Sequence, residues 1–255
     1  MNQANSVNLK IVALLLALCA MRFFGSEVHA MQKPRHIVLL GASVGEAWKI
    51  EYLPDRLMKS DSSPLTPDAL LLKAFPYRFE YVGEYQFDKS KALQQVLQRK
   101  ENRPDAVLLK ECAAYFPGDL ANYRNLIKMW VGDCLRKGVM PILVSVAPVR
   151  GPSFWKLQYW KNLVKRIVYP NKSTVEARLR ELTAFNDWIR KYALEQNLQV
   201  LDLEKALRVS GTDRHLKVDL DGGDGLHLNQ KAYSILDQII LPTLAQAFRN
   251  DKIKK

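Results

Sequence analysis

Short apolar runs alternate with longer amphipathic segments along most of this chain of 255 residues. Five runs have the length and composition of buried strands, namely His36–Gly41, Phe79–Gly83, Ala106–Lys110, Met140–Pro148 and Leu198–Leu203. The segments around them carry apolar residues at helical spacing, over Gly45–Lys59, Lys89–Lys100, Leu120–Lys137, Thr174–Gln196 and Gln230–Arg249. Strands that are apolar throughout are typical of parallel sheets covered on both faces, and helices supply the crossovers between them. The alternation therefore predicts an α/β protein with a three-layer α/β/α sandwich.

The first 30 residues have a different pattern from the rest of the chain. Lys10 precedes an uncharged apolar run, Ile11–Met21, and Val28-His29-Ala30 has the small residues that suit a signal peptidase. The apolar run spans only about 17 Å as a helix, roughly half the hydrocarbon core of a bilayer. We therefore interpret residues 1–30 as a secretory signal peptide, with an uncleaved N-terminal anchor as the alternative. Residues 31–255 are then a single exported domain, periplasmic or extracellular.

The chain is strongly basic, with a formal net charge of +12. Such a balance favours anionic surroundings, for example lipid head groups or acidic cell-wall polymers, although solubility alone is an equally good explanation. Export makes nucleic acid the least expected partner. Two cysteines, Cys112 and Cys134, lie beyond the signal segment, and we expect them to be free thiols, with a disulfide as the alternative.

The segment 151–171 follows the fourth predicted strand and interrupts the alternation. It mixes aromatic with basic side chains, namely Phe154, Trp155, Tyr159 and Trp160 with Lys156, Lys161, Lys165 and Arg166. Loops at the carboxyl ends of parallel strands are frequent ligand-binding sites. A lid or surface-binding insertion is one interpretation of this segment, and an ordinary amphipathic helix is the other.

The first predicted strand ends in Gly41-Ala42-Ser43-Val44-Gly45, a serine between glycines at a strand-to-helix turn. Nucleotide-binding turns place glycines at the same junction, but their fingerprint needs a third glycine where this chain has Ala47. The nucleophile elbow of ordinary α/β-hydrolases also has this spacing, yet it normally follows several strands, whereas the motif here opens the domain. Ser43 is therefore a candidate nucleophile of a different kind of site, or only the cap of the helix that follows.

A carboxylate and an imidazole stand three residues apart just before the last predicted helix, in Asp224-Gly225-Leu226-His227. A nucleophilic serine needs a base to accept its proton and a third group to hold that base in the right tautomer, and this spacing supplies both. The alternative for Asp224 is a cap of the last helix. The other histidines of the domain, His36 and His215, have no carboxylate at that spacing beside a helix start, and we expect them to be structural or surface residues.

The early serine and the late Asp-x-x-His, with a parallel sheet between them, resemble the SGNH hydrolases, also called the GDSL family. The similar blocks are Gly41-Ala42-Ser43 in place of Gly-Asp-Ser, Ala184–Arg190 with Val200–Asp202, and Asp224–Asn229 as the last block. The resemblance covers nearly the whole chain after residue 30. It implies a flavodoxin-like fold with a mostly five-stranded parallel sheet. It also implies a triad of Ser43 as nucleophile, His227 as general base and Asp224 as its orienting group.

The resemblance is weakest where the family supplies its other oxyanion donors. The donor glycine after the second strand falls at Gln86, with Gly83 nearby, and the donor asparagine after the third strand falls near Ala114. Alanine has no side-chain donor, and one lost oxyanion donor costs about 2.7–4 kcal/mol of transition-state stabilisation in other hydrolases. We predict that the neighbouring side chains of the third-strand segment, Lys110, Glu111 and Tyr115, line the site in its place, the alternative being an exposed Lys110–Glu111 pair.

Two functions remain open from the sequence. The first is an exported serine esterase or acyltransferase that acts on an ester-linked substrate, such as an acylated glycan or lipid. The second is a non-catalytic protein on the same scaffold that holds an anionic glycan or lipid. Neither a cofactor nor a metal is expected, because no cluster of metal-ligating residues is visible in the sequence.

Overall fold

The computed structural model describes residues 33–59, 77–151 and 174–253. Five parallel strands form one sheet, namely β1 (Arg35–Gly41), β2 (Tyr77–Gly83), β3 (Ala106–Lys110), β4 (Met140–Val144) and β5 (Val200–Leu201). Their spatial order is β2-β1-β3-β4-β5, and Ile37 of β1 lies in register with Phe79 of β2 and Ala106 of β3. The α/β class and the flavodoxin-like parallel sheet are thus confirmed. The predicted signal segment 1–30 and, apart from Gly151, the insertion 151–171 lie outside the described residues.

Seven helices surround the sheet in the described part of the chain, namely α1 (Ser43–Trp48), α2 (Leu53–Lys59), α3 (Ser90–Leu97), α4 (Leu120–Arg136), α5 (Val175–Glu195), α6 (Leu203–Leu207) and α7 (Gln230–Ile253). The prediction of one helix over Gly45–Lys59 is wrong. The helix is interrupted at Lys49, whose backbone is left-handed with a φ of 48°. Pro54 then lies in the first turn of α2, where a missing N–H is tolerated, whereas inside a continuous helix its ring would clash with the preceding turn. None of these helices is long and apolar enough to cross a membrane.

The two faces of the sheet carry separate cores. On one face Ile37, Leu39 and Leu108 pack with side chains of α1, α6 and α7, and on the other Val38, Leu40, Val107 and Leu109 pack with side chains of α3, α4 and α5. These strand residues are at most 1% exposed. Each such side chain contributes about 1.5–3 kcal/mol by its burial. Burial on both faces is the reason why β1 and β3 are continuously apolar in sequence.

The strands on the β5 side of the sheet are shorter than predicted. β4 ends at Val144, because the backbone of Val146 is satisfied by the side-chain amide of Asn186, which accepts from its N–H at 2.8 Å and donates to its carbonyl at 2.9 Å. β5 ends after Leu201, because Asp202 caps α6 by accepting from Lys205 N. Polar side chains thus terminate the strands and leave their carboxyl ends free to lead into loops.

Candidate active site

Ser43 lies directly after the carboxyl end of β1, as the first residue of α1. The N-cap of α1 is Ala42, and no side chain caps the helix, so the interpretation of Ser43 as a helix cap is wrong. Its side chain is partly exposed, and its hydroxyl makes no hydrogen bond with another described residue. The first N–H groups of a helix have no acceptor within the helix, so the Ser43 N–H is an available donor beside the hydroxyl.

The glycines around Ser43 permit close packing of its turn. A Cβ on Gly41 would lie 3.3 Å from Lys110 Cβ on β3, and a Cβ on Gly45 would lie 3.1 Å from the ring of Tyr81 on β2. The motif read from the sequence as Gly-x-x-x-Gly therefore lets β1 and α1 approach their neighbours on both sides. Close packing thus accounts for both glycines of the motif.

Asp224 and His227 form a hydrogen-bonded pair in the loop before α7. Asp224 Oδ2 lies 2.6 Å from His227 Nδ1, and its Oδ1 accepts from the backbone N–H groups of Leu226 at 2.9 Å and His227 at 2.8 Å. Partial burial opposes ionisation of Asp224, but the hydrogen bonds from the backbone and ring of His227 and from Leu226 outweigh it and hold its pKa below the usual value. An ionised Asp224 favours the tautomer of His227 that carries hydrogen on Nδ1, which leaves Nε2 free to accept a proton.

The loop is held in shape by hydrogen bonds of its own. Asp221 Oδ1 accepts from Gly223 N and Gly225 N, and Gly222 N donates to His227 O at 2.7 Å. The cap of α7 is Asn229, whose side chain accepts from Ala232 N, so the interpretation of Asp224 as a helix cap is wrong. The Asp224 carboxylate instead accepts hydrogen bonds from His227 and from the backbone N–H of Leu226.

The carboxyl edge of the sheet carries all three candidate triad residues. Ser43 follows β1, while the Asp224–His227 loop contacts the segment after β4, where Arg150 N donates to Gly225 O at 2.9 Å. In the described residues no hydrogen bond joins Ser43 Oγ to His227. Catalytic hydrogen bonds are often long in the absence of substrate and tighten only in its complex.

Gly83 is the exposed last residue of β2, and Gln86 is exposed in the loop that follows, which lies against the turn of Ser43. Glu84 N donates to Gly41 O at 2.8 Å, and Tyr85 OH donates to Glu46 Oε2 of α1 at 2.5 Å. The N–H of Gln86 donates to the carboxylate of Glu84 at 3.1 Å. The structure thus brings the second-strand segment to the nucleophile turn, but the predicted donor N–H already has an acceptor.

Lys110 and Glu111 are each 1% exposed, so the alternative of a solvent-exposed pair is wrong. The ion pair of Glu111 is with Lys89, at 2.7 Å between Oε2 and Nζ, whereas Lys110 Nζ donates to the backbone carbonyl of Glu111 at 3.1 Å. Burial lowers the pKa of Lys110 to about 8. Burial also raises the pKa of Glu111 to about 7, against the opposing attraction of Lys89.

Two buried polar atoms of this third-strand segment, Glu111 Oε1 and the hydroxyl of Tyr115, have no hydrogen-bond partner within the described part of the chain. The ring of Tyr115 lies over the ammonium of Lys89, at 5.0 Å from Nζ to the ring centroid. Sequence reasoning missed Lys89, which is fully buried just before α3. Its partner is 22 residues away along the chain, so no local pattern indicated the pair.

The other histidines and the cysteines of the described residues have no part in the Asp224–His227 pair. His36 is buried between Glu80, at 2.9 Å from Nε2, and the carbonyl of Asn102, at 3.0 Å from Nδ1. His215 Nδ1 lies 2.7 Å from Asp213 in an exposed turn. Cys112 and Cys134 are buried free thiols, as expected from the sequence.

No family model matches this chain, and no curated protein matches it in sequence. Solved structures do match its fold. A GDSL-like lipase from Bacteroides thetaiotaomicron is 16% identical with a TM-score of 0.56, covering 89% of this chain and 97% of its own. The psychrotrophic esterase EstA from a Pseudoalteromonas species, in a structure inhibited by monoethylphosphonate, is 13% identical with a TM-score of 0.53, covering 84% and 99%. The acetyl xylan esterase AlAXEase is 13% identical with a TM-score of 0.54, covering 81% and 98%.

These likenesses confirm the resemblance at the level of the fold. The chain has the fold of the SGNH, or GDSL-type, hydrolases. Its five-stranded parallel sheet and the helices on both faces are the shared architecture.

Proposed function

We propose that this protein is a serine esterase or acyltransferase in which Ser43, His227 and Asp224 act as a triad. The observation that carries the proposal is the 2.6 Å hydrogen bond between Asp224 Oδ2 and His227 Nδ1, in a loop at the same sheet edge as Ser43. The carboxylate has three hydrogen bonds to the histidine and its neighbour, an arrangement that fixes the ring. Nothing in these contacts stabilises α7, so a structural role explains them less well. The esterases and lipases that share the fold support the reaction class.

The proposed reaction is acyl transfer in two steps. Ser43 Oγ attacks the ester carbonyl carbon while His227 Nε2 takes the hydroxyl proton, and the developing oxyanion binds to backbone N–H groups such as that of Ser43. The tetrahedral intermediate collapses, and the alcohol leaves with the proton from His227. Water or a sugar hydroxyl then attacks the acyl-enzyme by the same steps, and the acid or new ester is released.

Further oxyanion or substrate contacts come, in this proposal, from the segments after β2 and β3. Lys110 uses one of its three ammonium hydrogens for the carbonyl of Glu111, and the Tyr115 hydroxyl has no acceptor, so both retain donor capacity. The backbone N–H of Gln86 lies beside the Ser43 turn as well and becomes available only when the Glu84 carboxylate moves away, and Gly83 at the end of β2 is the neighbouring candidate. These donors would replace the side chain that Ala114 lacks.

A second candidate function is binding without turnover. The observation in its favour is that the Gln86 N–H is occupied by Glu84 and that alanine stands at position 114. A scaffold with an impaired oxyanion hole would hold its ligand, an anionic glycan or lipid matched to the basic chain, without cleaving it. For the first function, the esterase or acyltransferase, we propose an acylated glycan or lipid as the ester substrate and an exported location, the latter from the pattern of residues 1–30.

Labelling of the purified protein with a fluorophosphonate, together with hydrolysis of p-nitrophenyl acetate, tests the proposal. We expect both in the wild type and neither in Ser43→Ala. His227→Ala should lose hydrolysis, by about 10³-fold or more. The matched control is His215→Ala, since His215 also pairs with an aspartate at 2.7 Å but stands in a separate exposed turn.

Retained hydrolysis in folded Ser43→Ala would refute the nucleophile. Equal losses in His227→Ala and His215→Ala would refute the base. Absence of labelling and hydrolysis in the wild type, and also in a variant without the Glu84 carboxylate that occupies the Gln86 N–H, would favour the binding protein.

A further inference from the structure

The backbone N–H of Gln86 has an acceptor from its own loop, the carboxylate of Glu84. Glu84 Oε1 lies 3.1 Å from Gln86 N and accepts its hydrogen. A backbone N–H is directed at one region of space, so an oxyanion bound by this group would occupy the region where the Glu84 oxygen lies. We propose that Glu84 occupies this oxyanion position and restrains ester hydrolysis until its side chain turns away. The inference rests on the proposed function.

Three contacts place this loop beside the nucleophile. Glu84 N and Tyr81 OH both donate to Gly41 O, at 2.8 and 3.1 Å, and Gly41 is two residues before Ser43. On the other side, Tyr85 OH donates to Glu46, three residues after Ser43. The end of β2 and the start of this loop thus contact the Ser43 turn on both sides of the serine, and Gln86 follows directly after these contacts.

Buried contacts hold the backbone of the loop in place, so the Glu84 side chain can turn away without a change of the loop. Lys89 Nζ donates to Gln86 O at 2.8 Å and to Phe87 O at 3.3 Å, and its third contact is the buried carboxylate of Glu111 at 2.7 Å. Because Lys89 is 0% exposed, this attachment is not exchanged for water. Glu84 is partly exposed, and rotation of its side chain toward water would release the Gln86 N–H without moving the loop.

The carboxylate opposes the reaction in two ways. It fills the acceptor position of one donor, and its negative charge repels the negative charge that develops on the ester oxygen. Both effects act on the transition state more than on the neutral ester, so removal of Glu84 should raise kcat rather than lower KM. One oxyanion donor is worth about 10²–10³ in kcat in other hydrolases.

Steady-state hydrolysis of p-nitrophenyl acetate by position-84 variants tests the inference. We expect Glu84→Ala to raise kcat by at least about tenfold with little change in KM. This is less than the roughly 10²–10³-fold effect on kcat of a complete oxyanion donor. Glu84→Gln keeps an acceptor without the charge and should give a smaller increase. Glu84→Asp should stay near the wild-type rate, because aspartate readily accepts from the N–H two residues onward.

Two further variants separate this inference from other causes. Glu101→Ala removes the same charge from an exposed loop at the opposite edge of the sheet and should not change kcat. Ser43→Ala combined with Glu84→Ala should abolish the increased activity. Thermal unfolding of each variant verifies that the fold is retained.

The outcomes distinguish the inference from the proposed function. Ser43-dependent activity that is unchanged or lower in Glu84→Ala overturns the role of Glu84 and leaves the proposed function standing. An increase that Glu84→Asp shares equally also overturns it. Activity that appears only in Glu84→Ala and depends on Ser43 supports both, and no activity in either protein refutes both.

Discussion

The ammonium of Lys89 uses all three of its hydrogens, for two backbone carbonyls of the loop after β2 and for the carboxylate of Glu111. A lysine and a glutamate without access to water are expensive to bury unless each satisfies the other. Glu111 nevertheless keeps one oxygen, Oε1, without a partner. The ion pair therefore joins the segments after β2 and β3. Its attraction offsets the desolvation of the two buried charges only while both partners are present.

Removal of one partner should leave the other charge buried and unpaired. We expect Glu111→Ala to lower the free energy of unfolding by about 3–5 kcal/mol, measured by urea denaturation at neutral pH. Tyr115→Phe removes a buried hydroxyl that has no partner and should leave stability unchanged or higher. If this segment lines the site, as predicted from the sequence, both variants should change turnover or ligand affinity by more than about tenfold, equivalent to about 1.4 kcal/mol.

Wild-type turnover in both folded variants would remove this segment from the site. A loss of stability in Tyr115→Phe equal to that in Glu111→Ala would contradict the distinction between a paired and an unpaired group.

The residues that the sequence indicated are those whose chemistry is local. Asp224 and His227 are three apart and bond to each other, so spacing alone predicted the contact. The hydrogen bond between Gln86 N–H and Glu84 is also local, over two residues. A glutamate two residues before a loop position is, however, too common in sequences to predict such a bond. The Lys89–Glu111 pair joins two loops after separate strands, and only the sheet order brings them together.

At the scale of elements, the loop before α7 depends on its glycines. Gly223 and Gly225 have φ of 113° and 79°, a region that other residues rarely adopt. A Cβ on Gly225 would lie 2.1 Å from the carbonyl oxygen of Arg150, so that position admits no side chain. The close approach allows the loop to bond to the segment after β4, and thereby fixes where Asp224 and His227 stand.

Gly225→Ala should displace this loop. The expected results are a loss of stability of about 1–3 kcal/mol from the backbone conformation alone, and a fall in kcat beyond what the loss of fold explains. Gly211→Ala is the matched control, since a Cβ there meets nothing within 4 Å and its φ is not positive, and it should be neutral. Urea denaturation and ester hydrolysis measure both effects; equal behaviour of the two variants would contradict the account.

Elements that are buried on both faces were predictable, and elements that end on polar contacts were less so. β3 begins and ends where its apolar run does, because nothing but burial defines it. β4 stops early because the distant side chain of Asn186 bonds to Val146, and β5 stops early because Asp202 caps α6. Hydrophobic periodicity detects neither contact. The break at Lys49 lies at a residue with no preference for left-handed backbone, and only Pro54 gave a sign of it.

For the molecule as a whole, buried ionisable groups at the site edge make stability depend on pH. The lowered pKa of Asp224 contributes stability that is present above its unfolded pKa and lost as the pH falls through the folded value. Glu111 acts in the opposite direction, because its pKa is raised from 4.5 to about 7 by burial, so stability falls as pH rises between these values. At neutral pH the ionised Glu111 therefore lowers the stability of the native state, whereas Asp224 increases it.

Lys110 offers the clearest measurement of that cost, because among the described residues it has no ion pair and a single hydrogen bond. Burial lowers its pKa from 10.5 to about 8. Below pH 8 both folded and unfolded chains carry the charge, and the folded state bears the full penalty. Between 8 and 10.5 only the unfolded chain still holds the proton, so the penalty declines as pH rises and is absent above 10.5.

Lys110→Met keeps the length of the side chain and removes the charge. It should raise the free energy of unfolding by about 2–3 kcal/mol below pH 8, after about 1 kcal/mol is subtracted for the lost hydrogen bond to Glu111 O. That gain should shrink from pH 8 upward. Urea denaturation of both proteins from pH 6 to pH 10 measures the difference, and a difference that is constant across this range would contradict a charged Lys110 beneath the Ser43 turn.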